Sequence, residues 1–163
     1  AIRDFMYGIN NVFKRVLLYP MPVIACLNGH AAANGAILAC ACDFRLMRAD
    51  RGFFFFPEID IGIPFLPGMI AFLKKAIPYD TFNEMALTGK RCTAKEMAAC
   101  GVLVKACDSG ETLIAETMAF AKIFQKKRGV FGEMKRRLHA GIVEVIDRED
   151  PKYIEPLKLF WKD

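Results

Sequence analysis

The chain has 163 residues, the length of one domain at about 150 residues per domain, and its 54% apolar beside 25% charged residues exclude the polar composition of a disordered chain. A chain of this size buries roughly 68–70% of its unfolded surface, so neither metal nor disulfide is required to complete a core. The 23 Lys and Arg against 18 Asp and Glu leave +5, an excess that suits small anions at least as well as nucleic acid.

In chain order, Phe5, Ile9, Val12, Phe13, Val16 and Leu17 recur at helical spacing, and Tyr19-Pro20-Met21-Pro22 ends that run. Val23 to Leu27 is apolar without alternation and is bounded by Asn28-Gly29, which predicts a strand buried on both faces. From Asn34 the small apolar run GAILACACD favours a short buried helix. Phe44 to Met47 and Phe53 to Phe56 each predict a strand, separated by the charged turn Arg48-Ala49-Asp50-Arg51-Gly52. Gly62 to Gly68, with two prolines and two glycines, reads as an apolar loop bordering a pocket or an interface. Beyond it, helices are predicted over 68–77, 80–88, 93–100, 110–127 and 131–147.

No period of 20 to 50 residues recurs and no polar linker divides the chain. The apolar runs are interrupted by Asn28, Gly29, His30, Asn34 and Asp43, so none reaches the roughly 20 residues of a membrane span. Cysteines 26, 40, 42, 92, 100 and 107 lie inside apolar runs, as buried reduced thiols do, and with two histidines a metal site is not expected. The amino terminus, Ala1-Ile2-Arg3-Asp4, is neither an initiating Met nor a signal peptide.

The chemistry concentrates in Asn28 to Asp43 and in Glu58. A loop of small residues running into a helix presents free backbone N–H groups that a carbonyl oxygen can approach, and such groups stabilise an oxyanion. From spacing alone the same loop reads rather as a helix start that needs small residues to pack closely on a strand. Phe53 to Phe56 reads as core on both faces of a strand or as the lining of a tunnel. His30 and Asp60 read as structural, and Lys126-Lys127-Arg128 with Lys135-Arg136-Arg137 as a solvated helical face.

The run PVIACLNGHAAANGAILACACDFRLMRADRGFFFFPEIDIGIP resembles the crotonase superfamily of enoyl-CoA hydratases and isomerases, whose pattern is N-G-x-A-x-G-G-G-x-x-L-A-x-x-C-D followed by a P-E-x-x-x-G turn. MALTGKRCTAKEMAACGVLVKAC resembles a later segment of the same family. The resemblance implies an α/β fold of stacked, ClpP-like ββα spiral turns, with residues 1–107 the C-terminal portion of the spiral core and 108–163 a helical region of the same domain used for trimerisation. The N-terminal part of that fold is expected to be missing, so the chain looks like the C-terminal two-thirds of a longer protein.

The resemblance also implies an enolate held by two backbone N–H groups. One matches Asn34, where the family has glycine; Asn tolerates positive φ should the loop require it. The other lies in the N-terminal half. Hydratases place glutamates at the positions of Ile37 and Glu58, and only Glu58 is present, an arrangement that resembles plant-type Δ3,Δ2-enoyl-CoA isomerases. Dienoyl-CoA isomerases resemble it less, since they add an aspartate where this chain has Leu66. The implied catalytic residues are thus Glu58 and Asn34, with Ala32, Ala33, Gly35, Ile37, Phe65 and Leu66 around the substrate and Lys158 and Lys162 as candidates for a CoA phosphate. CoA is expected as part of the substrate, without redox cofactor or metal, in a cytoplasmic homotrimer or hexamer that meets neither nucleic acid nor membrane. Hydration, hydrolysis or decarboxylation of an acyl-CoA, and acyl-CoA binding without catalysis, remain open.

Overall fold

A computed structural model describes residues 1–161. Helix α1 (Ile2–Leu17) is amphipathic and buries Phe13 and Leu17. Strand β1 (Ile24–Leu27) leads through the two-residue strand β2 (Ala31–Ala32) into helix α2 (Asn34–Ala41). The same order follows at once in β3 (Phe44–Arg48), β4 (Phe54–Phe55) and α3 (Pro67–Ala76). β1 pairs in parallel with β3, Ile24 opposite Phe44, and β2 in parallel with β4, Ala31 opposite Phe54, while α2 packs on α3. Two strand-strand-helix units are therefore stacked one on the other. The geometry repeats although the sequence does not.

Helices α4 (Tyr79–Thr88) and α5 (Ala94–Ala99) lead to strand β5 (Lys105–Cys107), which joins β3 in parallel to give the order β1-β3-β5. Helix α6 (Gly110–Ala121) covers these three strands. Helix α7 (Arg128–Arg148) packs on α3 and α1, and a single turn, α8 (Pro151–Ile154), follows. No helix among the described residues is long and apolar enough to cross a membrane.

Several expectations are corrected. β1 lies at the edge of its sheet and exposes Cys26, so it is not buried on both faces. Cys40, Cys42, Cys92 and Cys107 are buried, and Cys100 is half-buried. α3 starts inside the predicted loop because Pro67 occupies its first turn, where a missing N–H costs nothing. β2, β5 and α8 are too short to show a period, and α6 ends at Ala121 rather than 127. Phe53 to Phe56 alternates, with Phe54 and Phe56 in the core and Phe53 and Phe55 outward.

Lys135 is not on a solvated face. It is 3% exposed, its Nζ donating to Asp43 Oδ2 at 2.8 Å and to the Val16 carbonyl at 3.3 Å. Asp43 also accepts from the Val23 N–H at 2.8 Å, so this ion pair ties α7 to the start of β1. The carboxyl end of α2 is held by cations: Arg45 donates to the carbonyls of Ala39 and Cys42, and Lys75 to that of Cys42, satisfying groups that a helix end leaves unpaired. Burial, with Arg45 nearby, pushes the Lys75 ammonium down to about 8.

Candidate active site

Both halves of the site are set by the short β2–β4 ladder. The strands run parallel, so the segments leaving their carboxyl ends, Ala33-Asn34 and Phe56-Pro57-Glu58, emerge side by side. The Ala33 N–H extends the ladder to the Phe55 carbonyl at 3.3 Å. Gly52 permits the pairing. At φ 91° it lies so close to Gly29 that a side-chain carbon there would sit 2.5 Å from the Gly29 carbonyl carbon.

Ala33 has φ 47° and ψ −127°, a conformation that costs a non-glycine residue about 1–3 kcal/mol. Any positive φ needed by the loop thus falls on Ala33 and not on Asn34, which is the first residue of α2. No side chain caps this helix, and the Asn34 and Gly35 N–H groups have no acceptor among the described residues. Both residues are exposed. The strained turn therefore leaves helix-end donors exposed at the surface, as helix starts that bind anions do.

Glu58 sits on the turn between Pro57 and Gly62, where the Asp60 and Ile61 N–H groups both donate to the Pro57 carbonyl. The residue is 7% exposed, and its Oε2 is buried with no hydrogen-bond partner among the described residues. Burial pushes the carboxyl above the usual carboxylate range, offset in part by its own backbone amide. It faces a cavity of about 640 Å³ walled by Ile63, Phe65, Phe82, Leu87 and Trp161. A carboxylate with one oxygen unpartnered among the described residues, in a mostly apolar hollow that also includes Lys74 and Asn83, is suited to holding and releasing a proton.

Of the other expected substrate contacts, Phe65 lines this cavity, and Ala32 and Ala33 are half-buried beside the helix start. Ile37 (1% exposed) and Leu66 (3%) belong to the hydrophobic core instead of the cavity wall. Ile37 lies one turn into α2, a helix enclosed by α1 and α3, and Leu66 is the extended residue that immediately precedes α3. His30 accepts from the Phe53 N–H through Nδ1 at 3.1 Å and stacks on the Phe53 ring. It is a fixed part of the turn. The Asp60 carboxylate lies against Gly89, whose φ of 66° ends α4. Lys158 lies past the end of α8, and Lys162 lies outside the described residues. Tyr79, Leu87 and Trp161 enter the cavity wall without a signal in the sequence, because only the packing of α4 and the chain end onto the Glu58 turn brings them there.

The family model for enoyl-CoA hydratase/isomerase matches residues 3–150. The chain belongs to that family. The Arabidopsis thaliana protein enoyl-CoA delta isomerase 3 is 32% identical over 154 residues, covering 87% of this chain and 63% of that protein. Carnitinyl-CoA dehydratase of Escherichia coli is 38% identical over 106 residues, covering 65% and 39%. The crystal structure of an enoyl-CoA hydratase/isomerase family protein from Pseudomonas syringae superposes with a TM-score of 0.86 at 21% identity, covering 94% of this chain and 66% of that one. The stacked strand-strand-helix units with a helical carboxyl-terminal region are thus the crotonase fold, and the chain spans less than two thirds of the delta isomerase's length. In this family member the carboxylate at position 58 and the helix start at 34 lie at the same end of the β2–β4 ladder.

Proposed function

We propose that the protein is a Δ3,Δ2-enoyl-CoA isomerase in which Glu58 takes the α-proton of a 3-enoyl-CoA and returns it at the γ-carbon. The observation that carries this reading is the buried Glu58 Oε2, unpartnered at the wall of an apolar cavity. One carboxylate is enough to move a proton between two carbons of one substrate, whereas adding water calls for a second group to orient it. At position 37, where that group would stand, the chain has a core isoleucine. The thioester oxygen would gain negative charge as the proton leaves, and the Asn34 N–H is the donor proposed to meet it. The substrate brings its own CoA, and the steps proposed here call on no metal or redox cofactor.

The deciding measurement supplies the purified protein with a 3-enoyl-CoA and, separately, with the trans-2-enoyl-CoA. Rapid formation of the 2-enoyl product with little hydration of it is the expected result. Fast accumulation of 3-hydroxyacyl-CoA would overturn the isomerase assignment.

A further inference from the structure

We infer that Trp161, docked on the Glu58 turn, is the outer wall of the cavity and sets its preference for long acyl chains. This inference rests on the acyl-CoA reading above. The Trp161 N–H donates to the Gly62 carbonyl at 2.9 Å, and Gly62, at φ 67°, approaches so closely that a side-chain carbon there would lie 2.8 Å from the Trp161 carbonyl oxygen. The end of the described chain is therefore stitched to the turn that carries the proton-moving carboxylate.

Trp161 lines the cavity, yet the residue is 71% exposed. Ile59, Tyr79 and Leu87 line the same cavity and are also largely exposed. Large apolar groups gathered around one opening leave surface whose removal from water favours binding. In the proposed reaction the α- and γ-carbons must lie at Glu58, which fixes one end of the acyl group. The carbons beyond them extend through the hollow toward its opening. A short acyl group ends near Glu58, and a long one reaches the indole.

Trp161 is the only tryptophan of the chain, so its fluorescence reports the contact directly. Dodecanoyl-CoA should shift the emission to the blue, saturating at the affinity measured independently by calorimetry, while bound butyryl-CoA leaves the emission unchanged. Trp161→Ala should weaken dodecanoyl-CoA about tenfold relative to butyryl-CoA, a discrimination typical of apolar chain contacts, and Trp161→Phe should restore most of it. Gly62→Ala should shift the free protein's emission to the red and abolish the response to the long chain. Dodecanoyl-CoA that binds by calorimetry without moving the emission, or an unchanged chain-length ratio in Trp161→Ala, would overturn the inference and leave the isomerase reading standing. Failure of every acyl-CoA to bind would remove both.

Discussion

The buried Oε2 atom of Glu58 is an acceptor without a donor among the described residues, and leaving such a group unsatisfied costs about 1–3 kcal/mol. Because the folded carboxyl binds its proton more tightly than the unfolded one, stability falls as pH rises from the ordinary carboxylate range through the raised folded value. At neutral pH the ionised group works against the fold. The proposed reaction needs that ionised form, so turnover should rise with pH through the same interval. Glu58→Gln separates the two effects. We expect turnover to drop on the order of 10²-fold or more, while the variant gains about 0.5–2 kcal/mol at neutral pH. Denaturant melts at neutral and acidic pH, beside a rate assay, test both parts; a variant that keeps near wild-type turnover sinks the role of Glu58. The resemblance singles out this residue at its P-E turn, but its isolation was not legible, because no pattern of neighbours along the chain reveals which donors are missing in space.

At the scale of elements, the long periodic helices and the strands β1 and β3 could be read directly, since three- and four-residue spacing and continuous apolar runs survive without tertiary context. Lys135 shows where such reading ends. It stands between Met134 and Arg136 in a basic stretch that resembles any solvated face, yet α7 turns it inward to Asp43. The partner lies 92 residues away, and local spacing carries no trace of it. Truncating one member of a buried pair strands the other, at a cost of about 3–5 kcal/mol. Lys135→Ala should therefore destabilise by that amount, and adding Asp43→Asn to it should recover part of the loss. Urea melts of the two single variants and the double variant give the coupling. Simple additivity of the two single losses would show that the pair is not an energetic unit.

For the whole molecule, the stacked units stayed hidden from a search for repeats because equivalent strands bury different things: Ala31-Ala32 in one unit faces Phe54-Phe55 in the next, and small against large fills the gap between them. The fold was reachable only through the resemblance of Pro22 to Pro64, and of a later segment, to a family. The same architecture leaves apolar stripes on its helical part. Ile114 and Met118 on α6, and Val130, Met134 and Leu138 on α7, recur every four residues and are exposed, so each set lies along one helix face. We propose that these stripes meet other copies of the chain. Three copies, the assembly expected from the resemblance, would bury them if each contact removed an area on the order of 800 Å² per partner. Light scattering at micromolar concentration should return three times the chain mass, or six if two such rings pair. Met134→Glu combined with Leu138→Glu places two charges on the α7 stripe and should yield single chains with unchanged helix content by circular dichroism. A wild-type protein that scatters as one chain at tens of micromolar would show that these stripes do not join copies of the molecule.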